Sequence, residues 1–104
     1  MRECELKKEG DRLVAEIRCE IDHHTAKGIR ESVDAELLMG GVKLLTLDFS
    51  SVTFMDSSGI GLIIGRAAKA ELHGARVEVI GLGGNLKRIV CMSGIERIPN
   101  VEIN

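Results

Sequence analysis

Aromatic side chains are almost missing from this sequence: there are two phenylalanines, Phe49 and Phe54, and no tyrosine or tryptophan. A surface that stacks nucleic-acid bases needs aromatic faces, so single-strand recognition has no basis here. An excess of positive charge is missing as well. Fourteen Lys and Arg stand against sixteen Asp and Glu, with both signs interspersed and a formal net charge of −2. A duplex-binding protein would carry a basic stripe to neutralise phosphates, which excludes direct DNA binding. No apolar run approaches the ~20 residues that cross a bilayer. No basic segment followed by an apolar stretch opens the chain in the manner of a secretory signal. The expectation is a cytoplasmic protein that does not engage a membrane. Proline occurs once, at Pro99, and no linker or low-complexity tract is visible. The three cysteines, Cys4, Cys19 and Cys91, are odd in number and include no CxxC pair, so neither a disulfide framework nor a zinc site is indicated. Cys19 lies in an alternating pattern and Cys91 in a helical one, and both read as inert core thiols.

What remains is an ordinary globular balance: 104 residues, 44% hydrophobic and 29% charged. That is one domain's worth of chain, able to bury roughly two-thirds of its unfolded surface without a metal or disulfide.

Residues 13–21 alternate, with Leu13, Ala15, Ile17, Cys19 and Ile21 on one face and Glu16, Arg18 and Glu20 opposite, the mark of a half-buried strand. Residues 2–8 predict a partner strand joined to it by a Gly10-Asp11 turn. Ala26, Ile29, Val33 and Leu37 recur at helical spacing over 24–38, and Gly40-Gly41 ends that helix. Residues 42–49 are nearly continuous apolar sequence, as in a strand covered on both faces. A second helix is expected over 57–72, with Ile60, Ile63, Ile64, Ala67 and Ala68 inward and Gly74 as its end. A strand follows at 76–81. Asn85 is placed to cap a short third helix carrying Leu86, Ile89 and Val90, closed by Ser93-Gly94. A last strand is expected within 98–103. The order ββαβαβαβ predicts an α/β fold: a mixed, mostly parallel sheet of four to five strands with helices packed against it.

The usual catalytic and nucleotide signatures fail. Gly65 is followed by Arg66 and not by the Lys of a P-loop, and Gly59-Ile60-Gly61 runs on into Leu62-Ile63-Ile64, which breaks GxGxxG. Met55 stands where a GxSxG nucleophile elbow needs its first glycine. His23 and His24 are adjacent and have no companion ligand cluster, so no metal and no cofactor are expected, and no catalytic residue is assigned.

Two helix starts carry more polar chemistry than their local role requires. In Asp56-Ser57-Ser58-Gly59-Ile60-Gly61, one Asp or Ser suffices to cap a helix by accepting from bare N–H groups. Two hydroxyls beside a carboxylate exceed that need, and glycine is a poor helix former that leaves the backbone open to another molecule. A phosphate placed there would sit in the favourable field of the helix N-terminus. In Asp22-His23-His24-Thr25-Ala26, either Asp22 or Thr25 can serve as the cap. The topology allows both helices to begin at the same end of the sheet and to share one surface. A phosphate held directly on the Gly-rich helix start defines the alternative, a nucleotide- or anion-binding module, although no Walker lysine or basic cluster adjoins it in sequence.

Asp22-His23-His24-Thr25-Ala26 followed by Val52-Thr53-Phe54-Met55-Asp56-Ser57-Ser58-Gly59-Ile60-Gly61, together with the Met92-Ser93-Gly94 turn, resembles the STAS (sulfate transporter and anti-sigma antagonist) domain family, in particular the sporulation branch of its anti-sigma factor antagonists. The resemblance implies a non-enzymatic protein whose unmodified form binds an anti-sigma factor that is also a serine kinase, thereby freeing a sigma factor. It implies that the kinase phosphorylates Ser57 and that a metal-dependent serine phosphatase reverses this. Docking would use Asp22, His23, Asp56, Ser57, Ser58, Gly59, Ile60 and Gly61. It further implies one STAS domain over 1–104; the expected departure from the family pattern is in the C-terminal helix usual in relatives, since the sequence stops at Ile103-Asn104.

Overall fold

Gly10 adopts φ +62° and lets the chain reverse tightly between its first two strands. The computed structural model describes residues 3–104. Strand β1 (Cys4–Glu9) pairs antiparallel with β2 (Arg12–Ile17). Helix α1 (His23–Leu38), strand β3 (Leu44–Asp48), helix α2 (Ser57–Leu72), strand β4 (Arg76–Ile80), helix α3 (Gly84–Met92), a 3-10 turn at Ile95–Arg97 and strand β5 (Val101–Ile103) follow. The sheet order is β1-β2-β3-β4-β5, parallel from β2 onward, so the expected α/β architecture and element order are found.

The parallel register aligns Leu13, Leu45, Val77 and Val101 in one row and Ala15, Leu47, Val79 and Ile103 in the next. Both rows face Ile29, Val33 and Leu37 of α1, Leu62, Ile63, Ala67 and Ala70 of α2, and Leu86 and Val90 of α3 in a single core. Strand β3 is covered on both sides, as expected, but its second face is covered by side chains of the neighbouring strands. There Thr46 is sealed by long polar side chains instead of a helix. Arg12 Nε donates to Thr46 Oγ1 (3.0 Å), which donates to Glu78 Oε1 (2.9 Å).

Several boundaries differ from the sequence reading. The first strand runs Cys4–Glu9, and position 2 of the expected span lies outside the described residues. The second ends at Ile17, because the chain leaves the sheet there to reach α1. Ile64 is 45% exposed and Ala68 faces solvent, whereas Leu62, Arg66 and Ala70 are buried. The α2 stripe is rotated because the helix packs on α1 as well as on the sheet. Asn85 is not the α3 cap: Gly83 holds that position without a side-chain bond, and Asn85 Oδ1 accepts from Arg88 instead. Ile89 is 42% exposed, so Leu86 and Val90 anchor α3 without it. The last strand is only three residues long, since Pro99 holds Ile98 extended and offers no N–H to a ladder. Cys4 is fully in the core, and burial pushes its thiol up to about 11. Cys19 is half-buried at the core edge, with burial raising its pKa; Cys91 is half-buried and outside the core cluster, so the core assignment fails for it.

Candidate functional site

The two helix starts are held together by backbone. Ile21 and Met55 form an isolated parallel bridge, in which Ile21 N–H donates to Phe54 O (3.0 Å) and Asp56 N–H donates to Ile21 O (3.1 Å). Each bridge residue is buried and immediately precedes a helix cap. Asp22 and Asp56 are therefore placed side by side, and the expected shared surface exists.

Asp22 and Thr25 form a reciprocal capping box, which resolves which of them caps α1. Thr25 N–H donates to Asp22 Oδ1 (2.9 Å), and Asp22 N–H donates to Thr25 Oγ1 (3.0 Å). The Thr25 hydroxyl also donates to Glu20 O (2.9 Å), tying the helix to the preceding loop. The bond from Thr25 N–H is the main reason that the Asp22 carboxyl is held below the usual aspartate value. His23 opens the first turn of α1 and is exposed.

At α2 the cap is Asp56, whose Oδ1 accepts from Ser58 N–H at 2.7 Å. The carboxylate does the capping, so neither serine hydroxyl is needed for it. Ser57 is exposed on the first turn, whereas Ser58 is half-buried. The neighbouring glycines differ. Gly61 is open, and a Cβ added there would meet nothing within 4 Å. Gly59 is buried, and a Cβ there would lie 2.6 Å from Met55 Sδ and 3.1 Å from Met55 Cβ. The open backbone expected at both glycines is found at Gly61 only. At Gly59 the missing side chain lets Met55 and its bridge to Ile21 fit beneath the helix. Ile60 is half-buried against the core.

Two features escaped the sequence reading. Phe54 is 51% exposed beside the helix starts, an apolar side chain next to Asp56 on the shared surface. Arg66 lies inside the apolar stripe of α2 at 3% exposure, with Nε 2.8 Å from Asp34 Oδ1 of α1. The detectable signal was a charge four residues after Leu62, at a position the helical period turns inward. No group of three or more metal-ligating side chains occurs among the described residues. No helix among them is long and apolar enough to cross a membrane.

The chain matches the family model of the STAS domain over residues 3–104. It is 30% identical over 76 residues to the anti-sigma F factor antagonist of Lysinibacillus sphaericus, a match covering 73% of this chain and 65% of that protein. It is 29% identical over 92 residues to the anti-sigma F factor antagonist of Paenibacillus polymyxa, covering 88% and 79%. Among solved structures it resembles the anti-sigma factor antagonist SpoIIAA in its unphosphorylated form, at a TM-score of 0.82 and 25% identity over 97% of this chain and 87% of that one. The phosphorylated form of SpoIIAA, from Bacillus, superposes with a TM-score of 0.76 at 25% identity, over 97% of this chain and 90% of that one. These likenesses are to proteins named as anti-sigma factor antagonists. A five-stranded sheet with two helix starts bridged at one end, matched along its described length by one family model, makes this chain a member of the STAS domain family.

Proposed function

We propose that this protein is an anti-sigma factor antagonist controlled by phosphorylation at Ser57. The unmodified form binds an anti-sigma factor that is also a serine kinase, and so releases the sigma factor. The kinase, supplying its own ATP and metal, phosphorylates Ser57 and ends the interaction; a metal-dependent serine phosphatase restores it. Asp22 and His23 from the first helix start, and Asp56, Ser57, Ser58, Ile60 and Gly61 from the second, form the docking surface. Gly59 shapes it from below.

The observation that carries this reading is the exposure of Ser57 on a capped helix start beside a second capped start. A kinase must take a hydroxyl into its own active site, and Ser57 offers one that the cap does not use. The likeness to antagonists, one of them described in phosphorylated and unphosphorylated forms, points the same way. A phosphate at Ser57 adds about −1.5 to −2 charges at pH 7. The helix dipole favours it and Asp56 opposes it, each on the order of 1 kcal/mol, so the fold has no reason to rearrange. The switch then acts at the contact, where a dianion replaces a hydroxyl against a fitted surface and mismatched charge costs several kcal/mol.

Incubation with a purified anti-sigma factor kinase and ATP tests this. Intact mass should rise by one phosphoryl group, and the modified protein should no longer co-elute with the kinase. A protein that neither binds nor gains mass would refute the proposal.

A further inference from the structure

Helix α2 carries apolar residues on two faces. Ile63, Ala67 and Ala70 enter the core, whereas Gly61, Ile64, Ala68 and Leu72 form a second stripe that meets solvent at helical spacing. Ile64 is 45% exposed and Leu72 81% exposed. Leu38, at the matching end of α1, is 76% exposed. A helix that is apolar on both sides ordinarily packs against something on each. A Cβ added at Gly65 would meet nothing within 4 Å, so an open notch lies next to the projecting Ile64.

The charges beside this stripe are sorted by position. Helices α1 and α2 are each 16 residues long and start side by side, so together they present one two-helix face. In the half nearer the helix starts α1 offers Lys27 and Arg30, and in the other half Glu31 and Asp34. Along α2 the order is reversed, with Asp56 at the start and Lys69 and His73 at the end. Lys27, Arg30 and Glu31 make no ion pair among the described residues. Asp34 is paired with Arg66 but keeps 25% of its side chain exposed.

We infer that this face pairs with the same face of a second copy of this chain, the helices running antiparallel about a two-fold axis that crosses between Arg30 and Glu31 and between Ile64 and Gly65. That operation sets Lys27 against Asp34 of the second copy and Arg30 against its Glu31, each contact occurring twice. On α2 it sets Ile64 over the open notch at Gly65, Gly61 beside Ala68, and Asp56 toward His73. Leu38 and Leu72 of each copy come down on the helix starts of the other. A parallel arrangement would oppose Lys27 to Lys27 and Glu31 to Glu31, so the charges select the antiparallel one. Two helices of about 24 Å give a face on the order of 500 Å² per copy, below the ~800 Å² per partner of a standard interface. The dimer is therefore weak and concentration-dependent. It covers the helix starts, so it excludes a partner docked at Ser57, but the pairing does not depend on that docking.

Sedimentation equilibrium of the full chain in low salt, from about 10 μM to about 1 mM, tests this. The average mass should climb toward that of two chains as concentration rises. Arg30→Glu and Glu31→Arg change only exposed side chains, and each turns two attractions into two repulsions, so each should weaken pairing about tenfold or more. An equimolar mixture of those two variants, or the double variant Arg30→Glu/Glu31→Arg, restores both opposite-charge contacts and should recover the dimer. A chain that stays monomeric throughout, a dimer that either single swap leaves unchanged, or a mixture that fails to recover would each overturn the inference. So would a monomer whose Ile64→Glu variant loses only kinase binding, because the stripe would then belong to the docking surface.

Discussion

Asp56 N–H donates to Ile21 O across 3.1 Å, joining the chain just before α2 to the chain just before α1. That bond and its companion from Ile21 N–H to Phe54 O hold the two helix starts at one end of the sheet. The proposed docking surface is therefore held in place by main chain, and side-chain changes on it should alter recognition more than position.

Ser57→Ala should fold normally, still bind the kinase and resist inactivation by ATP. Ser58→Ala should still accept phosphate, because Ser58 takes part in the cap through its N–H and not its hydroxyl. Peptide mapping that placed the phosphate on the Ser58 hydroxyl would reverse the assignment.

Phosphorylation should act locally. Amide shifts should be confined to about residues 22–26 and 55–62, and the melting temperature should hardly move. Shifts spreading through the sheet and α3 would reveal a conformational switch in place of a charge mismatch at the contact.

The glycines of α2 should respond in opposite directions. Gly65→Ala adds a methyl into open space and removes a poor helix former, so stability should rise by up to about 1 kcal/mol. Gly59→Ala makes the same gain in propensity but drives Cβ to 2.6 Å from Met55 Sδ and 3.1 Å from Met55 Cβ, and overpacking of this kind costs about 1–3 kcal/mol. The sulfur can swing away, but the Cβ cannot without moving the Ile21 bridge. Urea denaturation should show Gly59→Ala destabilised and Gly65→Ala not.

Arg66→Met should lower stability by about 2–3 kcal/mol, somewhat less than for a fully enclosed pair, because the Asp34 side chain is 25% exposed. Adding Asp34→Leu should restore much of the loss, since it removes the stranded charge. A double-mutant cycle in urea reads the coupling; strict additivity would mean that the pair contributes nothing.

The Asp22 cap should titrate. Its pKa is lowered in the fold, chiefly by the bond from Thr25 N–H, so the charged form is favoured in the native state. The contribution is complete above the ordinary value of 3.8 and is lost as pH falls through the lower folded value. Asp22→Asn keeps an acceptor but cannot titrate, so its stability deficit should be constant near neutrality and shrink below pH 3.8. A deficit that persisted unchanged into acid would show that the charge plays no part.

The element order was legible because periodicity and turn residues report local physics. Leu13, Ala15 and Ile17 alternate because one sheet face is buried, and Gly10, Gly40 and Gly94 stand where the backbone needs positive φ. Both helix starts of the candidate site were legible too, since a cap needs its acceptor within a few residues. Which groups meet across the fold was not. Ile21 reaches Met55 across 34 positions and Asp34 reaches Arg66 across 32, separations at which no sequence period carries information. The rotation of α2 was misjudged for the same reason: its inward face is set by α1 as well as by the sheet, and a buried arginine does not look apolar. Only the tertiary structure could show that Gly59 is closed by Met55 while Gly61 is open, and that Lys27 and Arg30 border the same groove as Arg66. Local residue chemistry settles which elements form; contacts between elements, made wherever packing brings distant residues together, settle what surface they present.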